Sequence, residues 1–255
     1  MPYQKVMAER LSQSVVRQFE LLILRGILRP GERLPAERGL ADRMGVSRPS
    51  LRDAVADLQD RGLLVSRPGS GMYVADVLGS AFSPALVGLF ATHEEAVFDY
   101  LTFRRDMEGL AIERAARLAS DTDLQVVDTL FAKMADVTAH RSPAEEAALD
   151  AAFHMAIIEA SHNVIMLHMM RSMYELLSEG VFYNRQVIFS QRTTRDTLLD
   201  QHRAINTALQ ARDPAAARAA VEVHLDFVGR SLADQQRMER NEAVARQRLD
   251  HERER

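Results

Sequence analysis

The segment from Pro30 to Val74, PGERLPAERGLADRMGVSRPSLRDAVADLQDRGLLVSRPGSGMYV, constrains the fold more than any other part of this 255-residue chain. A short helical stretch is followed by Gly45, then by a second helical stretch that opens with polar and basic residues. Two short β-type runs then flank Pro68-Gly69-Ser70-Gly71. Glycine suits a sharp turn because it takes backbone conformations that a side chain opposes. This order describes a winged helix-turn-helix, a unit built to dock on double-stranded DNA and poorly suited to catalysis.

Local signals place the elements. Leu11, Val15, Val16, Phe19, Leu22, Ile23, Ile27 and Leu28 fall at helical spacing, which predicts a first helix over Leu11–Leu28 stopped by Pro30-Gly31. Pro35 stands at the start of a second helix, Ala36–Met44, where a missing N–H is harmless. Ser47 is an N-cap for a third helix over Ser47–Asp60, with Pro49 in its first turn. Leu63–Val65 and Met72–Val74 are the strands of the wing. A recognition helix presents its N-terminal residues to the major groove, where Arg pairs with guanine and Ser or free N–H groups suit phosphate. Ser47, Arg48, Ser50 and Arg52 crowd that start, and Arg38 on the preceding helix is placed for the flanking backbone. The glycine tip at Gly69 allows the wing to approach a groove. One such arginine alone reads as a solvated surface residue; the ordered set argues for DNA.

A net charge of −4 conflicts with that reading until the chain is divided. Residues 1–76 carry 12 Lys+Arg against 9 Asp+Glu, and the remainder carries 20 against 27. A basic head on an acidic body resolves the conflict. The absence of cysteine excludes disulfides and thiolate metal sites and suggests a cytoplasmic protein. No apolar leader and no run of 18 apolar residues is present, so neither export nor membrane contact is expected.

Beyond a small, polar linker at Asp76–Pro84, only helical patterns occur: Ala96–Ala119, Asp121–His140, Pro143–Ala160, Val164–Phe189, Thr193–Gln210 and Asp213–Leu232. Ser120 or Asp121, Ser142 and Asp213 supply caps. Helices of this length joined by short turns form an antiparallel bundle. The fold class is therefore mainly α, a winged helix-turn-helix followed by an all-α bundle. The division is a DNA-binding domain at 1–76, a linker and connecting helix at 77–94, an effector and dimerisation domain at 95–233, and a charged tail at 234–255. The tail holds 6 Arg and 6 Asp+Glu among few apolar residues and reads as a fraying helix or a disordered segment.

Four residues of the bundle carry chemistry. Asp150 and His154 are four apart and share a helix face, while His202 and His224 lie on the two following helices. One carboxylate and three imidazoles suit a divalent metal, zinc by default, with Ni, Mn or Fe fitting the same donors. Each histidine alone also reads as an ordinary hydrogen-bonded residue, and that reading is given to His93, His140, His162, His168 and His251.

The quoted N-terminal pattern, over about residues 10–75, resembles the DNA-binding domain of the GntR family of bacterial transcription regulators. The resemblance implies DNA contacts from Arg38, Ser47, Arg48, Ser50, Arg52 and Gly69. Pro49 and Ser70 depart from the Thr and Lys of a close relative. In the body, DAAFH, QHRAINTAL and the isolated His224 resemble the FCD effector domain of the FadR-type subfamily, over about residues 95–232. That resemblance implies metal ligation by Asp150, His154, His202 and His224 and a small carboxylate effector beside the metal. Arg104 would clamp the carboxylate, and Asn206 would face the same cavity. It also fits a homodimer on a palindromic operator, where the effector either relieves repression, the expected sense, or activates. SVVRQFELLILRGILRPGERLP, SRPSLRDAV and EASHNVIMLHMMRSM are similar to the branch that answers to pyruvate, lactate or glycolate. Three alternatives stay open. Arg104 is spaced for a simple i,i+4 bridge to Glu108. The metal itself could be the signal. A metal-dependent hydrolase would need a general base that the sequence does not identify.

Overall fold

The computed structural model describes residues 11–76, 83–140, 143–178, 192–253 and 255. The chain divides into two compact units, residues 1–81 and 82–255. Among the described residues, no helix is long and apolar enough to cross a membrane.

The first unit contains α1 (Leu11–Leu24), α2 (Glu37–Met44), α3 (Arg48–Asp60), β1 (Leu64–Arg67) and β2 (Gly71–Val74). Val15, Val16, Phe19 and Ile23 of α1 bury against Leu51, Ala54, Val55 and Leu58 of α3, and Leu64 and Val74 of the wing close this core. The first helix is shorter than its apolar spacing predicts. Gly26 takes φ +71 and its N–H turns back to the Ile23 carbonyl at 3.0 Å, so glycine ends the helix before Pro30 is reached. Ile27, expected on the buried face, is 61% exposed as a result.

Gly45 adopts φ +66 and caps α2, where a side chain would be strained. Ser47 then accepts a hydrogen bond from the Ser50 N–H at 3.3 Å, as an N-cap should. The strands pair antiparallel with Leu64 opposite Val74 and Arg67 opposite Gly71, longer than predicted at the tip end. A third edge was not legible in the sequence. Residues 31–34 lie along β2, with Leu34 N–H bonded to the Met72 carbonyl at 2.8 Å and Val74 N–H to that of Glu32 at 3.0 Å.

The second unit is helical throughout its described residues: α4 (Pro84–Thr92), α5 (Glu94–Leu118), α6 (Asp121–His140), α7 (Pro143–Ala160), α8 (Val164–Ser178), α9 (Arg192–Gln210) and α10 (Pro214–Arg253). The predicted helix over Val164–Phe189 is seen to Ser178; its remainder and the proposed Ser142 cap lie outside the described residues. Part of the predicted linker does so too, and its end is the N-cap of α4, where Ser83 accepts from Leu86 N–H at 3.3 Å. Short caps fix the bundle turns. Ser120 and Asp123 form a reciprocal capping box, with Ser120 N–H donating to Asp123 at 2.8 Å and Asp123 N–H to Ser120 at 3.2 Å. Asp213 accepts from the N–H groups of Ala215 and Ala216, at 3.1 and 3.0 Å.

The main core gathers Ile112 and Ala115 of α5, Val127 of α6, Phe153 and Ile157 of α7, Ile205 and Leu209 of α9, and Val221 and Leu225 of α10. Of the two readings of the charged tail, the structure takes the helical one: α10 runs unbroken to Arg253. Pairs such as Arg237–Asp234 at 2.8 Å and Arg246–Glu242 at 3.0 Å stitch that solvated stretch, which contains neither glycine nor proline.

Candidate nucleic-acid interface and metal centre

The start of α3 is exposed. Ser47, Arg48 and Arg52 are exposed and Ser50 is half-buried, while Leu51, one turn in, has no exposure at all. The apolar residues thus fasten the helix and leave its polar start outward. Ser47 Oγ and Ser50 Oγ are 2.8 Å apart. Arg52 Nε donates to Glu37 of α2 at 2.9 Å, an exposed pair linking the two helices. Arg38 is exposed on α2. At the wing tip Gly69 has φ +70 with no neighbour within 4 Å of where a Cβ would stand. Arg67, not singled out in the sequence, lies beside the tip by the β1 register, its guanidinium 4.4 Å from the centre of the Tyr73 ring.

In the second unit, three helices converge on one buried cluster. α7 supplies Asp150 and His154, α9 supplies His202 and α10 supplies His224, and each offers a donor atom within 4.8 Å of the others. All four are buried. His202 Nε2 is 3.0 Å and His154 Nε2 3.6 Å from Asp150 Oδ1, and the two Nε2 atoms are 3.3 Å apart. Bonds of 2.0–2.1 Å to a common ion place neighbouring donors of a tetrahedron about 3.3–3.4 Å apart. The spacing therefore fits a divalent ion, and the nitrogen and oxygen donors suit zinc and its borderline neighbours. The rings crowd closely, with centroids 4.4 Å apart for His202 and His224, and Phe153 meets His154 and His202 edge-on.

Two of the three outer nitrogens, those of His154 and His224, have a polar partner of the kind metal ligation uses. His154 Nδ1 is 2.7 Å from Glu108 Oε2 on α5, and His224 Nδ1 is 3.1 Å from Gln201 Oε1 on α9. An imidazole that donates from Nδ1 keeps the Nε2 lone pair for a metal. Burial and the neighbouring imidazoles push His224 well below the ordinary histidine range. Burial also lowers His202, against the pull of Asp150. His154 is raised: burial opposes its charge, but Glu108 and Asp150 outweigh burial. Burial disfavours the Glu108 carboxylate, yet Arg104 and His154 overcome it and hold the group far below its usual range.

Glu108 was legible only as a salt-bridge partner of Arg104. That bridge exists, Nε to Oε1 at 2.6 Å, with Arg104 1% exposed. Arg104 Nη2 also donates to the Tyr174 hydroxyl of α8 at 2.7 Å, and that hydroxyl donates to Glu108 Oε1 at 2.8 Å. Arg104 is therefore joined to the histidine cluster through Glu108. Asn206 is buried one turn beyond His202, where its amide donates to Asp128 at 2.8 Å and accepts from Gln210 at 3.2 Å. No bond from Asn206 to the four clustered residues occurs among these. Of the histidines set aside, His162 pairs with Asp123 at 3.0 Å, outside the cluster.

Comparison with known proteins agrees with both units. Residues 11–74 match the family described as bacterial regulatory proteins, gntR family, and residues 99–227 match the FCD domain. The chain is 35% identical over 227 residues to the "Putative L-lactate dehydrogenase operon regulatory protein" of Escherichia coli (strain K12), covering 88% of this chain and 86% of that one. It is 30% identical to the Glc operon transcriptional activator of the same organism, covering 88% and 89%. Among solved structures, a Streptococcus agalactiae GntR protein aligns with a TM-score of 0.51 at 25% identity, over 86% of this chain and all of the other.

Proposed function

The chain belongs to the GntR family of DNA-binding transcription regulators, with an FCD domain as its body, and we propose that a small carboxylate bound beside a metal in that body controls its hold on DNA. The observation that carries this reading is the continuous buried network from Asp150, His154, His202 and His224 through Glu108 to Arg104. Buried charge is costly unless it is paired, and a buried cluster of strongly shifted ionisable groups is a candidate functional site. The metal is zinc, held by the four clustered residues. A five- or six-coordinate ion would keep positions for a ligand, and a bound divalent ion supplies electrostatic attraction for a carboxylate or hydroxyl oxygen. Arg104 supplies the charged wall, and Asn206 lines the same side of α9 one turn on from His202.

The effector is a small 2-oxo or 2-hydroxy monocarboxylate of the pyruvate, lactate and glycolate class, a reading supported by the lactate operon named for one relative. In the head, Arg38, Ser47, Arg48, Ser50, Arg52 and Gly69 contact DNA. Residues 1–76 are the DNA-binding domain, 77–94 the connection, 95–233 the effector and dimerisation domain, and 234–255 a charged extension. A homodimer reads a palindromic operator, because a two-fold protein matches a two-fold site. Effector binding shifts the population away from the DNA-competent state and so relieves repression. The protein acts in the cytoplasm.

A thermal-shift screen of small carboxylates tests the reading. Ligand at 100-fold over its Kd adds about 2.7 kcal/mol to a state that binds it. Lactate or pyruvate should raise the melting temperature of zinc-loaded protein and not that of chelator-treated protein. Equal shifts in both would remove the metal from the effector site.

A further inference from the structure

We infer that the cleft between α3 and the wing seats the DNA sugar-phosphate backbone, with Arg33 and Arg67 as its phosphate contacts. This rests on the reading above of the head as the DNA-contacting domain. The cleft has a volume of about 440 Å³ and lies wholly within the first unit. Val55 and Gln59 of α3, Glu37 of α2 and Met72 of β2 line it, together with Arg33 and Arg67, which are both exposed.

Strand pairing brings the two arginines together. Arg33 pairs with Tyr73 across the edge of β2, and Arg67 pairs with Gly71 across the hairpin. Positions 71 and 73 share one face of the strand, and residues paired across strands share a face too. Gly71 leaves room there: Arg33 Nε is 3.5 Å and Nη2 3.7 Å from where a Cβ at Gly71 would stand. The Arg67 guanidinium lies 4.4 Å from the centre of the Tyr73 ring. Stacking on a ring uses the face of a guanidinium and leaves its N–H edge for an anion. Among the described residues neither arginine has a hydrogen bond or ion pair to a carboxylate. Glu37, which also lines the cleft, is bonded to Arg52 at 2.9 Å.

The surroundings of the cleft identify its occupant. Arg52, at the start of α3, stands three residues before Val55, and Gly69 of the wing tip lines the cleft as well. A duplex read by the start of α3 and approached by the wing tip must pass its backbone across the space between them. A guanidinium fork matches phosphate oxygens, and phosphate contacts position a duplex without reading its sequence. Arg33 and Arg67 thus supply affinity that is blind to sequence and sensitive to salt.

The test is an anisotropy titration of the full chain over a range of salt. The probes are a duplex selected by the parent protein from a random-sequence pool and a scrambled version of it. Melting confirms the fold of each variant. Arg33→Ala and Arg67→Ala should each weaken both duplexes by the same factor, about tenfold per bound head at moderate salt. Each should also lower the slope of log K against log salt by about one per head. Arg33→Lys/Arg67→Lys keeps both charges and should keep the parent's slope. Arg25→Ala removes the same charge from α1, outside the cleft, and should change the slope little. An unchanged slope in both cleft alanine variants overturns the inference. So does a loss confined to the selected duplex, or an equal loss in Arg25→Ala. Arg48→Ala separates this from the reading beneath it. If Arg48→Ala loses the preference for the selected duplex while the cleft variants bind as the parent does, the inference alone fails. If Arg48→Ala also binds as the parent does, the assignment of DNA contacts in the head fails.

Discussion

The Glu108 carboxylate of α5 stands 2.7 Å from Nδ1 of His154 on α7, so a residue outside the clustered ligands orients one of them. The same carboxylate receives Arg104 and Tyr174, and through it α5, α7 and α8 share a single polar network. Such outer partners typically contribute 10–100-fold in metal affinity. Glu108→Gln should accordingly weaken zinc binding by about that factor, measured by competition with a chelating dye. Zinc affinity equal to the parent's would show that the contact does not position His154.

The ligands themselves predict a sharper loss. His202→Ala and His224→Ala each remove a donor, so each should lose bound metal on dialysis, whereas the parent retains about one ion per chain. Elemental analysis reads the outcome directly. Chelation should also lower the parent's melting temperature, because metal that binds only the folded state stabilises it.

The Arg104–Glu108 pair makes a separate thermodynamic prediction. Arg104→Met leaves a buried carboxylate with its main counter-charge gone, which costs about 3–5 kcal/mol. Glu108→Gln added to it removes the stranded charge. The double variant should be more stable than Arg104→Met alone, and denaturant unfolding of the metal-free proteins measures the difference. Additive losses would mean that the two side chains are not coupled.

In the head, Arg48→Ala should weaken specific operator binding by about 1–3 kcal/mol while melting is unchanged, since its side chain is exposed at the start of α3. Fluorescence anisotropy on operator and scrambled DNA separates loss of specificity from loss of charge. An equal loss on both would assign Arg48 to the phosphate backbone.

The capping box at Asp123 is one local source of acid sensitivity. Burial disfavours the Asp123 carboxylate, but bonds from Ser120 and the charge of His162 hold it below its ordinary range. A carboxyl whose folded value lies below its unfolded one contributes stability that is full above the unfolded value. That stability disappears as pH falls through the folded value. Asp123→Ala should cost about 1 kcal/mol at neutral pH, as loss of a helix cap does, and this deficit should shrink in acid. A deficit that stays constant from pH 7 to pH 3 would leave the capping box without an electrostatic part.

Much of this molecule was legible in the sequence because its signals are local. Gly45, Ser47 and Pro49 announce a turn and a helix start within a few residues. Asp150 and His154 announce a shared face through their spacing. Relations between distant segments were not legible. Gly26 ended α1 because its left-handed backbone offered an earlier stop than Pro30, which apolar spacing alone does not register. Residues 31–34 pair with β2 across almost 40 positions, and Tyr174 meets Arg104 and Glu108 from another helix. Asn206 was placed by helix position alone, and its bond to Asp128 on a neighbouring helix was not legible. The tail left helix and disorder both open because its apolar content is low; close charge pairs sustain the helix there.

The central claim is that metal and carboxylate together govern DNA binding, and an anisotropy titration on operator DNA tests it most directly. Zinc-loaded protein bound to labelled operator should be released as lactate or pyruvate is added. Chelator-treated protein and His202→Ala, if still bound to the operator, should not respond. Release at the same carboxylate concentration with and without metal would contradict the account.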